Sequence, residues 1–339
     1  KPLWLKNCTL ENALTSSSLA QSILRQGPAM SAAAPDFLLL GASGFLGGSF
    51  FTILQGCGFK IATSNVRLAD REGIERVLDE RPPKLGVICT AGERGRPNIS
   101  WCDAHPVETM EANVTGQLLV ATACKNRGLH VTLIGTGALY EPDPSRPGHL
   151  FTEQDKCNIA SPGVYVALRV KLEELLSFFD NVLFLRVMYP ISSNLDPRGL
   201  IGKLARFKTV DRAQPSVTIL EDLVPLVPDM VKRRTTGVVN FVNKGGLAYV
   251  DVLEALNARA PRGWTSPVVA RSATSRPAAT LDISHFAASC GREIPDSITS
   301  VRRIIADLKE HELAALAEEQ RQQKLREQRP AAERPHSAL

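Results

Sequence analysis

Residues Phe37-Leu38-Leu39-Leu40 form a continuous apolar run of strand length, and the chain then enters Gly41-Ala42-Ser43-Gly44-Phe45-Leu46-Gly47-Gly48. An apolar segment from Phe50 to Leu54 follows, with the composition of a helix packed on a sheet. In this order the three glycines answer separate demands. Gly41 permits a tight turn, Gly44 lets the backbone approach a pyrophosphate, and Gly47 lets the helix lie close on the strand. The free N–H groups and positive dipole end at the helix start then attract phosphate. Glycines alone also make ordinary turns. The strand–loop–helix setting predicts a dinucleotide site contacted by Gly41, Ser43, Gly44, Phe45, Leu46 and Gly47.

From Asp36 onward strands and helices alternate. Apolar strands are predicted at 36–40, 59–63, 85–89, 129–134 and 182–187, and helices at 45–56, 71–80, 106–127 and 163–179. Strands spaced by helices imply an α/β fold, a doubly wound parallel sheet of the Rossmann type with ligands outside the carboxyl ends of its strands. After Pro190 the rhythm loosens, with a strand at Val238–Val242, a helix at Tyr249–Arg259 and a loop-rich span over 260–281. Residues 296–328 read as one long helix, apolar at Val301, Ile304, Ile305 and Leu308 and nearly all polar from Glu318. The expected organisation is an extension (1–35), a dinucleotide-binding domain (36–190), a smaller lobe completing the fold (191–295), and a C-terminal helix with a polar tail (296–339).

A net charge of +5 spread along 339 residues argues against a nucleic-acid partner, and no apolar run approaches the roughly 18 residues of a membrane span. The seven cysteines form no C-x-x-C pair and no ligand cluster with the six histidines, so no metal is expected and most thiols read as reduced and buried. Residues 1–35 hold one acidic residue, Glu11, and are rich in Ser, Ala and Leu. That composition fits an organellar (mitochondrial or plastid) transit segment or its remainder, or an ordinary extension of a cytoplasmic protein. The extension and the C-terminal helix are the surfaces expected to meet protein partners.

The second strand runs into Ala62-Thr63-Ser64-Asn65-Val66-Arg67-Leu68, and the first acidic residue beyond it is Asp70. An acidic residue at the strand end would bond a ribose 2′-hydroxyl, whereas an arginine there suits a 2′-phosphate through charge and a planar fork of donors. Arg67 therefore favours NADP(H) over NAD(H).

The segment Ala91-Gly92-Glu93-Arg94-Gly95-Arg96-Pro97-Asn98-Ile99-Ser100-Trp101-Cys102 is the most specific string in the chain. Together with His105, Glu108-Thr109, Asn113-Val114-Thr115-Gly116, Ala138-Leu139-Tyr140-Glu141, Tyr165, Glu173-Glu174-Leu175-Leu176, Leu185-Arg186-Val187 and Pro190-Ile191-Ser192-Ser193, it closely resembles the nucleotide-sugar 3,5-epimerase/4-reductases. These are extended short-chain dehydrogenase/reductases of the rhamnose pathway. The likeness continues through Thr218-Ile219-Leu220, Thr236-Gly237 and Asn240-Phe241, spans about residues 36–256, and weakens beyond.

The resemblance implies NADPH, a UDP- or dTDP-linked 4-keto-6-deoxyhexose, and cofactor contacts at Ala91 and Gly92. It also implies a tyrosine proton donor with a lysine four residues on, a Ser or Thr that orients the carbonyl, and a cysteine–lysine pair for epimerisation. Residue by residue, Tyr165, Thr136 and Cys102 occupy the tyrosine, Ser/Thr and cysteine positions, but Arg169 stands in the lysine position and Ala167 in that of the other lysine. Arg169 can offer charge and donors to a ribose but cannot release a proton at working pH. Lys171 lies on another helical face. Arg94, Ser100, Met188 and Tyr249 replace a small hydroxyl residue, an aspartate, an arginine and a histidine of the family pattern. Two functions follow: an active 4-reductase, with or without epimerase activity, or a catalytically degenerate subunit of a larger, organellar assembly. The second has its analogy in the accessory subunit of this fold in respiratory complex I.

Overall fold

The computed structural model of the chain describes residues 34–96, 98–210, 212–269 and 279–328. All four residues of β1 (Phe37–Leu40) are buried because the strand has neighbours on both edges and helices on both faces. It pairs in parallel with β2 (Ile61–Ser64) on one side and β3 (Gly86–Cys89) on the other. β4 (Val131–Thr136), β5 (Val182–Val187) and β7 (Gly237–Phe241) extend the sheet, giving the order β2-β1-β3-β4-β5-β7 with every pairing parallel. The short β6 (Thr209–Val210) and β8 (Val268–Val269) pair separately.

Successive side chains divide between the two faces. Phe37 and Leu39 pack with Phe50, Ile53 and Leu54 of the Phe45–Gly56 helix and with Leu220 to Val231. Leu38 and Leu40 pack with Ile74 and Leu78, with Val120 and Cys124, and with Leu172 and Leu176. Covering both faces is why the strands read as unbroken apolar runs rather than alternating ones. The crossover direction reverses at β1, so a crevice opens at the carboxyl ends of β1 and β3. A further apolar cluster joins Ile191, Leu200, Ile201, Val217 and Ile219 to the helices Tyr249–Asn257 and Ser297–Ala306.

The helices at Phe45–Gly56 and Arg71–Glu80 match their predicted bounds. Two predicted helices are instead broken. The 106–127 helix is a short helix Pro106–Met110, a π-helical turn Glu111–Thr115 and a helix Gly116–Lys125. The 296–328 helix divides into Ser297–Ala306 and Glu310–Gln328. At that break Arg259 donates to the carbonyls of Ile305 (3.2 Å), Ala306 and Leu308 (2.9 Å), taking up acceptors a continuing helix would have used. The expected transit segment and most of the N-terminal partner surface, residues 1–33, lie outside the described residues, as do 270–278 of the loop-rich span and 329–339 of the tail. No described helix is long and apolar enough to cross a membrane.

Candidate functional site

Gly41 leaves β1 with φ +85°, and a side chain there would place its Cβ 2.6 Å from the Ala91 amide nitrogen. Only glycine meets both conditions. At Gly47 a Cβ would run into the Gly41 carbonyl and lie 2.8 Å from Ala42 Cα, so its absence lets the helix dock on the loop. At Gly44 a Cβ would meet only the Gly41 oxygen, at 3.4 Å, and both Ser43 and Gly44 are exposed. The Phe45–Gly56 helix begins with no side-chain cap and no acidic residue in its first turn. Its leading N–H groups thus face the crevice without a protein anion, which fits a dinucleotide pyrophosphate. Phe45 and Leu46, in the first turn, are half-buried.

At the end of β2 the two specificity candidates separate. The Asp70 carboxylate accepts the Gly73 N–H at 2.8 Å and caps the Arg71–Glu80 helix. Arg67 is exposed, and its guanidinium has no hydrogen bond or ion pair within the described chain.

Beyond β3 the loop that begins at Ala91 is pinned from the π-helical turn. Asn113 donates to Glu93 O (2.6 Å) and accepts from Glu93 N (3.2 Å), while Gln117 donates to Ala91 O (2.6 Å). A Cβ on Gly92 would come within 2.9 Å of Asn113 Oδ1. The Glu93 carboxylate in turn accepts from Arg94 N and Gly95 N at 3.0 and 2.8 Å. Asn113 and Gln117 hold this edge of the crevice; in sequence Asn113 stands out only as part of the family-like string and Gln117 only as a helix position.

Thr136 ends β4 in register with Val187, and its hydroxyl accepts from Ala138 N at 3.2 Å. Tyr165 opens the Val164–Leu176 helix and is half-buried. Arg169, one turn further on and 4% exposed, donates to the carbonyls of Ile134 and of Asn113 (3.3 Å). Its guanidinium lies 5.8 Å from the Tyr165 ring centroid and 5.7 Å from that of Phe184. The Arg169–Ile134 bond sets a level along the sheet. Two strand residues carry β4 from Ile134 to Thr136, about 6.6 Å, and four helical residues carry the helix back from Arg169 to Tyr165, about 6 Å. Tyr165, at the helix start, and Thr136, at the strand end, therefore both lie on the carboxyl side of the Arg169–Ile134 bond. Arg169 itself points elsewhere than the resemblance implies: two donors go to backbone, and its Nε is buried with no partner. The charge is offset by carbonyls and two aromatic faces. Lys171 is exposed and paired with Glu174 at 2.9 Å.

Cys102 sits in the Trp101–Ala104 turn with 0% exposure, and burial raises its thiol pKa above the ordinary value, against the pull of the Thr109 hydroxyl. The next residue, Asp103, accepts the Val164 N–H at 2.8 Å, so this turn is tied to the helix start beside Tyr165. Cys102 is thus brought near the tyrosine but lies beneath the surface. Cys89 and Cys124 are also fully buried, and burial pushes both up to about 12. Among the described residues no cluster of His, Cys, Asp and Glu could hold a metal.

The positions expected to depart from the family pattern differ in placement. Met188 is 1% exposed and packs with Leu139, Tyr140, Phe151 and Leu281. Tyr249 is 8% exposed and meets Tyr189 edge-on at 6.5 Å, with Tyr189 held at φ +40° just past β5. Arg94 and Ser100 are exposed. Behind the site Arg186 bonds Glu173 (2.6 Å) and the Tyr140 hydroxyl (2.9 Å) in a buried network, and burial pushes the Tyr140 phenol up to about 12.

Known proteins resemble this arrangement. The family model described as the NAD dependent epimerase/dehydratase family matches residues 37–177. The chain is 37% identical over 223 residues, 65% of its length and 73% of the relative's, to a bifunctional dTDP-4-dehydrorhamnose 3,5-epimerase/dTDP-4-dehydrorhamnose reductase of Arabidopsis thaliana. It spans 33–35% of the length of three trifunctional rhamnose-forming relatives from the same plant. The crystal structure of a UDP-rhamnose synthase from Acanthamoeba polyphaga mimivirus superimposes with TM-score 0.72 at 26% identity, covering 80% of this chain and 99% of that one. A dTDP-4-dehydrorhamnose reductase of Bacillus anthracis in complex with NADP shares the fold at TM-score 0.66 and 16% identity, covering 82% of this chain and 99% of that one. The chain belongs to the NAD-dependent epimerase/dehydratase family of extended short-chain dehydrogenase/reductases, on its nucleotide-sugar epimerase/reductase branch.

Proposed function

We propose that this protein binds NADP(H) in preference to NAD(H) and reduces a 4-keto-6-deoxy sugar nucleotide without the accompanying epimerisation. The observation that carries this reading is the placement of Tyr165 at its helix start and Thr136 at its strand end, both on the carboxyl side of the Arg169–Ile134 bond, together with the uncapped start of the helix after β1. A bound NADPH would supply the hydride. Thr136 orients the substrate carbonyl, and the Tyr165 phenol gives its proton to the carbonyl oxygen as that oxygen gains charge. The Arg169 guanidinium lies 5.8 Å from the Tyr165 ring centroid, one helical turn behind it. Arg67 supports the NADP(H) preference because it is free at the β2 end while Asp70 is spent on a helix cap. Buried Cys102 and Ala167 leave no exposed proton-exchanging pair for epimerisation.

A second reading, a cofactor-holding subunit without turnover, is favoured by the Arg169 donors being directed into backbone. The test is NADPH binding by fluorescence, followed by oxidation of that NADPH on adding a UDP- or dTDP-linked 4-keto-6-deoxyglucose. Turnover that disappears in Tyr165→Phe supports the reductase. Tight binding with no turnover selects the second reading.

A further inference from the structure

We propose that Arg198 is a clamp for the pyrophosphate of the dinucleotide, held in readiness by Asp196. The inference rests on the dinucleotide reading above and adds a ligand group from a part of the chain far from the glycine loop. After Pro190 the chain crosses the start of the Phe45–Gly56 helix. A Cβ at Gly199 would lie 3.2 Å from Phe45 Cζ, and the Arg198 guanidinium stands 5.6 Å from the Phe45 ring centroid. Phe45 directly follows Gly44, where the helix begins without a side-chain cap or an acidic residue in its first turn. A guanidinium therefore stands over the side chain of the first residue of a helix whose start lacks a cap, a setting that suits a diphosphate.

Within the chain, the anion that answers Arg198 is Asp196, two residues back on the same loop. Arg198 Nη2 donates to Asp196 Oδ2 at 2.7 Å and Nε to Oδ1 at 3.0 Å. The two side chains are 50% and 20% exposed, so the pair is solvent-screened and can be exchanged without opening the core. The loop backbone is fixed independently, by Gly199 N to Asp196 O at 2.9 Å, Leu200 N to Pro190 O at 3.0 Å and Ile191 N to Thr218 O at 2.8 Å. The guanidinium fork thus needs only a side-chain rotation to trade a carboxylate for a phosphate, both of which it grips in the same planar manner.

The experiment measures dissociation constants of the full chain for NADPH, NADH, ADP-ribose and adenosine 2′-monophosphate, the last lacking the pyrophosphate. Arg198→Ala is expected to weaken NADPH and ADP-ribose by about tenfold to a hundredfold, the range of a charge-assisted hydrogen bond. It should leave adenosine 2′-monophosphate and the melting temperature unchanged. Asp196→Asn, which releases the guanidinium while retaining an acceptor for the Arg198 N–H, is expected to tighten NADPH by about two- to fivefold. Equal affinities in wild type and Arg198→Ala overturn the clamp and leave the dinucleotide reading standing. Parallel loss of all four ligands assigns Arg198 to loop folding and also overturns it. Wild-type protein that binds none of the three dinucleotide-type ligands overturns both readings.

Discussion

The glycine turn after β1, the proposed phosphate cradle, and the corner of Thr136, Tyr165 and Arg169, the proposed catalytic corner, stand at the same edge of one sheet but tolerate change very differently. In the cradle, backbone touches backbone: Gly41 against Ala91, and Gly47 against the Gly41 carbonyl. Almost any side chain there collides, so the cradle keeps its glycines or loses its shape. In the corner the contacts are between side chains. There Arg169 is buried against two carbonyls and two aromatic faces, contacts that depend on side-chain reach rather than on backbone approach. The contrast also explains why family membership says more about what is bound than about what is turned over.

The largest combined loss of stability and binding is expected where backbone contact is closest. Gly47→Ala should cost about 1–3 kcal/mol of stability by overpacking. It should also weaken NADPH by about a hundredfold through displacement of the helix start. Gly44→Ala meets only one oxygen at ordinary contact distance, so it should spare the melting temperature and weaken NADPH alone. Equal melting losses for the two variants would show that the cradle is less rigid than its contacts imply. Next comes Tyr165→Phe, which is expected to lower turnover by about 10²–10⁴-fold with NADPH affinity unchanged. Steady-state rates beside fluorescence titration check both halves, and unchanged turnover would move the proton donor elsewhere.

The same contrast governs what could be read from the amino acids. The cradle was legible because an apolar strand, three spaced glycines and an apolar helix are all local signals. Sheet class and most strand positions followed from the rhythm of apolar runs, since burial on both faces writes itself into consecutive residues. The breaks were not legible. Nothing between Glu111 and Thr115 marks a π-helical turn. It is stabilised by partners from afar: Arg169 reaches the Asn113 carbonyl, and Glu93 meets the Asn113 side chain. The interruption after Ala306 depends on Arg259, about fifty residues upstream, and no Pro or Gly announces it. Arg169 was visible as a substitution, but its direction depends on which carbonyls lie within reach. Arg198, in a polar loop after a proline, carried no signal that Phe45 lies beneath it.

Arg169→Lys puts the comparison under direct strain, with an intermediate effect. A lysine cannot donate to both carbonyls with its side chain packed over Phe184, so one charge-assisted bond should be lost, costing about 1.5–3 kcal/mol. If the corner is a weakened reductase, the shorter cation should also serve Tyr165 better, and turnover should rise by about tenfold. Lower stability with higher turnover would mean that Arg169 was retained for packing at the expense of chemistry. Lower stability with no turnover in either protein would favour a corner that has become purely structural.

The smallest effect is expected at Cys102. The thiol is buried, and its pKa is raised by that burial, so little thiolate forms at neutral pH and none of it meets substrate. Cys102→Ala should therefore leave reduction untouched and cost about 1 kcal/mol for the small cavity it opens. In D2O the reduced sugar should carry solvent deuterium at neither C3 nor C5, as judged by proton NMR. Iodoacetamide at neutral pH should label Cys102 only after unfolding. Deuterium at C3 or C5 that vanishes in Cys102→Ala would require the Trp101–Ala104 turn to open during catalysis. The Asp103–Val164 bond that closes it onto the helix would then be the place to look, because Asp103→Asn would loosen that turn and speed the exchange.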